Sequence, residues 1–169
     1  AKFFFDTDRK QKLVDRLEHT KQVIFQQQLG SLYDKAQRLS QLMQIISPMV
    51  NANVQLGQRV GLLAKCDLLT DMVREFPELQ GVMGRYFATE QGFDEDVSAA
   101  ISDHYLPIGI NSEVPKKPTG MAVALIDKID MLVGFFGINE KPTSSKDPFG
   151  LRRTAIGLLR IITENKLNI

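Results

Sequence analysis

Between residues 30 and 50 the apolar side chains fall at Leu32, Ala36, Leu39, Met43, Ile46 and Val50, spaced alternately four and three residues apart. That rhythm puts one stripe on one face of a helix. Gln37, Gln41 and Gln44 take the opposite face. The stretch 54–75 is more apolar, with Leu56, Val60, Leu62, Leu63, Leu68, Leu69, Met72 and Val73. It predicts a helix covered on most sides and central to a bundle. Pro77 suits the first turn of another helix, running to Ala88. Asp94 to His104 predicts one more, closed by Pro107. Met121, Leu125, Ile129, Leu132 and Phe136 form a further stripe. The last helix opens on Asp147 as N-cap with Pro148 behind it, and aligns Leu151, Ala155, Leu158 and Ile162. Residues 107–119 and 137–147 carry proline, glycine and polar clusters, and read as loops. No segment alternates with period two. The expectation is an all-α fold, one helical domain over residues 1–169, with about six or seven helices.

Composition changes this picture little. A chain of 169 residues buries about 70% of its unfolded surface, enough for one real core. Hydrophobic residues at 43% and charged residues at 24% argue against wholesale disorder. The net charge of +1 excludes a polybasic arm, but it is unevenly spread: +3 over residues 1–50, −4 over 51–100 and +2 over 101–169. A basic face arises if the two ends meet in space. A single cysteine, Cys66, leaves no internal disulfide and points to a reducing compartment. With only His19 and His104 beside it, zinc-finger spacing is excluded. The longest apolar run, Met131 to Ile138, is eight residues, against about 20 for a membrane helix. The opening Ala1-Lys2-Phe3-Phe4-Phe5 lacks a long apolar region and is no signal peptide. It reads as the start of a piece of a longer chain.

Candidate chemistry is sparse. Nucleotide-binding glycine loops, nucleophile elbows and zinc-protease motifs are absent. Cys66 lies in apolar surroundings and reads as packing. Asp67 and Asp71, four apart, and Asp127 and Asp130, three apart, would each share a helix face. Together they would suit a hard cation, or ion pairs with Lys65, Arg74 and Lys128. Asp127, between Ile126 and Ile129, must be paired or hydrogen-bonded if it approaches a core. Arg153, Gly157 and Arg160 share one face of the last helix, with Arg152 beside them. A glycine there admits close approach of a neighbour, either a helix or a sugar-phosphate strand. Arginines on phosphates give sequence-independent, salt-sensitive affinity. Lys116, Lys117, Lys141 and Lys146 add charge from loops. Gly81 and Gly84 suggest a second close contact, read as helix packing. Tyr33, Tyr86 and Tyr105 are the available base-stacking rings, if they are not core residues.

Four blocks carry a family resemblance: Gln26 to Arg38, with Leu29-Gly30-Ser31-Leu32-Tyr33-Asp34-Lys35; Lys65 to Gly84; Ala124 to Ile138; and Lys146 to Arg153. In this order they resemble the beta subunit of the bacterial two-subunit glycyl-tRNA synthetases. The opening residues 1–5 resemble that family's junction with a preceding domain. The resemblance implies an HD-like helical domain, part of an enzyme that attaches glycine to tRNA with ATP in the cytoplasm. It implies as partners a glycine tRNA, the alpha subunit in an alpha2-beta2 assembly and the other beta-subunit domains, with no membrane.

The same resemblance assigns glycine activation to the alpha subunit, and to this region a tRNA-contacting or bracing role without catalytic residues or cofactor of its own. The residues expected to meet tRNA are Arg152, Arg153, Arg160, Lys35, Arg38 and Arg85. Two alternatives stand beside this. One is a residual metal-dependent phosphohydrolase using Asp67, Asp71 and Asp127. The chain lacks the His-Asp pair of true HD hydrolases, however, and Lys65-Cys66-Asp67 occupies its place. The other is a scaffold that touches protein only.

Overall fold

Ser31 decides where the first long helix begins. Its hydroxyl accepts from the Asp34 amide at 3.1 Å, and the Asp34 carboxylate accepts from the Ser31 amide at 2.8 Å. Each side chain satisfies an amide that the helix cannot. The computed structural model describes residues 1–169, and the helix that follows Ser31 is α3 (Leu32–Met49). Before it come α1 (Lys2–Asp8), α2 (Leu13–His19) and a small antiparallel hairpin, β1 (Ile24–Gln26) with β2 (Gly30–Ser31). After it come α4 (Val54–Leu63), α5 (Asp71–Glu75), α6 (Val82–Glu90), α7 (Glu95–Asp103), α8 (Pro118–Gly137) and α9 (Leu151–Glu164).

The fold is all-α apart from the hairpin. α3 packs along α4 and across α8, which also meets α7 and α9, while α6 packs on α7. The centre belongs to α8, where every residue from Thr119 to Lys128 is buried. Leu39, Met43, Val60, Ile101, Leu125 and Ile161 fill one continuous core around it. No helix is long and apolar enough to cross a membrane.

The helix count is nine, against the expected six or seven. The stretch 54–75 is not one helix. α4 stops at Leu63, a 3-10 turn covers Cys66–Leu69, and α5 starts afresh at Asp71. Polar groups force the break. Asp67 turns away to accept the amides of Gly81 at 2.6 Å and Gly84 at 3.0 Å. Asp8, from the end of α1, accepts the amides of Asp71 and Met72, each at 2.9 Å. Thr70 caps the new helix by accepting from Val73 at 3.2 Å. Asp67 and Asp71 therefore do not share a helix face.

Two further boundaries differ from expectation. Pro77 opens only a 3-10 turn, and α6 begins at Val82. Asp147 is not the N-cap of α9, whose cap position is Gly150. Its carboxylate nevertheless reaches the helix, accepting the amides of Leu151 at 2.8 Å and Arg152 at 3.0 Å. Residues 1–5 lie in or beside α1, where Phe5 stacks on Phe87 with ring centroids 5.6 Å apart.

Candidate functional site

With its start fixed by Asp147, α9 lies against the segment 107–112 and leaves an open groove of about 630 Å³ between them. Arg152, Arg153 and Arg160 line it, with Ile108, Ile110 and Gly157. Three of the six expected RNA contacts are thus brought together. Their guanidinium groups are not equivalent. Arg160 donates to the carbonyls of Gly109 at 3.1 Å, Ile110 at 3.2 Å and Ser112 at 2.8 Å, and pairs with Glu164 at 2.7 Å. It ties the loop to the helix. Arg152 donates to the Thr143 carbonyl. Arg153 is exposed and has no hydrogen-bonding or ion-pair partner within the chain. Gly157 is needed for packing: a Cβ there would stand 3.1 Å from Lys128 Cε and 3.5 Å from the Pro107 ring. The close neighbour is a side chain and a proline, not a helix backbone.

Beside the groove is a second cavity of about 610 Å³, which Arg153, Pro107 and Ile108 also line. Lys35, Lys65, His104, Asp127 and Lys128 line it and belong to a charge cluster that Asp130 and Arg38 extend behind the lining. α8 supplies Asp127, Lys128 and Asp130, and α3 supplies Lys35 and Arg38. Lys65 comes from the turn after α4, and His104 from the end of α7. Lys35 Nζ lies 2.9 Å from Asp130 and 3.1 Å from Asp127 Oδ1. Arg38 donates to both oxygens of Asp130, at 2.6 and 3.2 Å, and to the Leu29 carbonyl at 2.9 Å. Lys65 Nζ meets Asp127 Oδ2 at 3.2 Å and His104 Nε2 at 3.0 Å. His104 Nδ1 is 2.6 Å from the Ile101 carbonyl. A carbonyl only accepts, so Nδ1 carries the proton and Nε2 accepts from Lys65.

Burial sets the protonation states. It pushes His104 down to about 3, aided by Lys65, so the ring is neutral at physiological pH. Burial alone would raise Asp127, but Lys35 and Lys65 outweigh it and hold the carboxyl well below the usual range. Asp130 is lowered likewise: burial is overcome by Arg38 and Lys35. Lys128 donates to the carbonyls of His104 at 3.3 Å and Leu106 at 3.0 Å. No carboxylate is within ion-pair distance of it, and burial brings its ammonium down to about 8.

Asp127 and Asp130 do share a face and do have partners. Those partners are Lys35, Arg38 and Lys65; Lys128 binds carbonyls, and Arg74 takes no part. Lys35, expected to meet tRNA, is 2% exposed and bound to two carboxylates. Arg38 sits on Asp130, and Arg85 pairs with Glu95 at 3.4 Å, outside the groove. Asp67, Asp71 and Asp127 are not gathered: no group of three or more His, Cys, Asp or Glu side chains is placed to hold a metal. Cys66 is fully buried and its thiol is pushed up to about 12, first by burial and then by Asp67. His104 is the residue that sequence reasoning missed. It follows Asp103, the reverse of a His-Asp pair, and nothing local marks it as a partner of Lys65.

Similarity to known proteins agrees with the resemblance read from the sequence. The family model described as "Glycyl-tRNA synthetase beta subunit" matches residues 1–169. Three relatives named "Glycine--tRNA ligase beta subunit" align over the whole chain. Those of Pseudomonas fluorescens and Pseudomonas putida are 51% and 52% identical, and the chain covers 25% of each. That of Hahella chejuensis is 52% identical, with 24% covered. The chain spans about a quarter of the length of the curated relatives it matches.

Proposed function

The chain belongs to the glycyl-tRNA synthetase beta-subunit family, and on that premise we propose that it is a helical module holding tRNA phosphates in the groove beside α9. The whole enzyme would join glycine to its tRNA using ATP, in the cytoplasm. Activation would belong to an alpha subunit in an alpha2-beta2 assembly, and other beta-subunit domains would complete the RNA surface. The role assigned to this chain is contact and bracing, not a chemical step.

One observation carries the reading: Arg152, Arg153 and Arg160, with Gly157, line a single open groove. A guanidinium fork matches two phosphate oxygens, and Arg153 is unoccupied by protein. Arg160 holds the far wall in place. Ile108 and Ile110 give that wall an apolar surface against which a ribose or base can lie. Such contacts read the shape and charge of an RNA strand more than its sequence. Lys35, Arg38 and Arg85 do not enter this interface.

The test is a fluorescence titration of the chain against glycine tRNA, with an unrelated tRNA beside it, at low and moderate salt. Affinity should fall with salt. The double variant Arg152→Ala, Arg153→Ala should bind more weakly, and its slope of log affinity against log salt should be shallower by about 2. Arg160 is left intact because it secures the loop. Unchanged affinity of the double variant at low salt overturns the proposal and favours a protein-contacting scaffold.

A further inference from the structure

The buried cluster next to the groove is electrically unbalanced. Lys35, Arg38, Lys65 and Lys128 bring four cations, against two carboxylates, Asp127 and Asp130. Asp67, near Lys65, adds a buried carboxylate behind the lining, and Arg153 and Glu78 line the cavity from exposed positions and cancel each other. The lining alone, Lys35, Lys65, Lys128 and Arg153 against Asp127 and Glu78, carries a net charge of about +2 beside the apolar walls Phe25, Leu32, Leu68 and Met131. Burying charge away from water is costly unless an opposite charge accompanies it.

Donors on the residues that line this cavity have bonding capacity left. Lys128 Nζ has two carbonyl partners, and an ammonium has three protons to give. The Tyr105 hydroxyl is buried and makes no hydrogen bond, although Tyr105 lines the cavity and its ring lies 4.2 Å from Lys65 Nζ. Arg153, free of protein partners, is the one lining residue shared with the groove that carries a charge.

We infer that this cavity is an anion pocket that takes a phosphoryl group, held by Lys65, Lys128 and Arg153 with the Tyr105 hydroxyl as a fourth donor. A tetrahedral oxyanion supplies the missing charge and accepts from all four at once. Lys35 and Arg38 stay on Asp130 and keep the floor rigid. The phosphoryl group is either a phosphate of an RNA strand that continues from the α9 groove or one carried by a free small molecule. The pocket chemistry is the same for both, and it stands without the RNA reading of α9.

The probe is inorganic phosphate, titrated into the chain by calorimetry and followed by phosphorus NMR, with sodium chloride matched for ionic strength. Saturable binding is expected, weakened tenfold or more by Lys128→Met and several-fold by Tyr105→Phe. Tyr105→Phe removes a single unbonded oxygen, so it decides the matter if Lys128→Met does not fold. No saturable binding, or equal binding by folded variants, overturns the pocket. With binding established, glycine tRNA is added: displacement of phosphate assigns the pocket to an RNA phosphate, and simultaneous binding assigns it to a free phosphate compound. RNA binding without phosphate binding overturns the pocket alone. Phosphate binding without RNA binding overturns only the α9 reading.

Discussion

His104 shows how burial converts one side chain into a pH-dependent element. Its ring is held neutral, with protonation in the fold displaced to about 3, while an unfolded histidine protonates near 6.5. Between those values the unfolded chain binds the proton and the native chain does not. Stability from this residue is therefore complete above about 6.5 and declines as pH falls towards 3, by at most about 1.4 kcal/mol per pH unit. Asp127 adds to the loss below the ordinary carboxylate range, because its folded value is depressed. Asp67, raised by burial, acts in the opposite sense. The difference between wild type and His104→Gln isolates the histidine. Urea unfolding from pH 7 to pH 4 should show a steeper acid decline in wild type, and parallel curves would refute the assignment. Sequence alone made part of this legible. Asp127 between two isoleucines had to find a partner, but Lys35 is 92 residues away in the chain and His104 carries no local mark. Such pairings follow from how α3, α7 and α8 converge, which periodicity does not encode.

Among the elements, the link between the 3-10 turn Pro77–Leu79 and α6 is tightly constrained. Gly81 has φ +80, its amide donates to Asp67, and a Cβ there would stand 2.7 Å from the Tyr105 ring. Gly92, after α6, has nearly the same φ of +79 but nothing within 4 Å of its would-be Cβ. Gly81 differs from Gly92 in crowding, and its ψ of −45 also takes it out of the left-handed helical well. Gly92→Ala should cost about 1 kcal/mol, from the left-handed backbone alone. Gly81→Ala should cost about 2 kcal/mol more, because its φ and ψ suit only glycine, Tyr105 or α6 must move, and Asp67 loses alignment. Equal losses for the two variants in denaturant unfolding would mean that the α6–α7 contact is loose. The Gly81-Gly84 pair was visible in the sequence as a close contact, but its target was not. Long stripes such as those of α3, α8 and α9 survive as helices because many positions agree. The break within 54–75 was hidden because a few hydrogen bonds from Asp67 and Asp8 outweigh an apolar pattern that suits either one helix or two.

At the scale of the molecule, the decisive property is whether the core opens as one unit. Cys66 reports on it directly. Its thiol is fully buried in the same continuous core as Leu39, Leu125 and Ile161, which lie on α3, α8 and α9. The thiolate is the reactive species, and burial pushes this thiol up to about 12, so the folded state offers almost none of it at pH 8. Labelling by a small disulfide reagent then requires an opening of the turn Cys66–Leu69, which packs on α2, α5 and α6. If the helices of this core form a single cooperative unit, the labelling rate should fall with the global unfolding equilibrium, and a destabilising change outside that turn, such as Gly92→Ala, should speed labelling by the full unfolding factor. A labelling rate near that of an exposed thiol, or one indifferent to Gly92→Ala, would show that the turn after α4 opens locally. The Lys65 side of the charge cluster would then open with it, since Lys65 immediately precedes Cys66. Cooperative opening instead means that the α9 groove and the lysine cavity are presented on one rigid body. Arg153, which lines both, can serve the two together only under that condition.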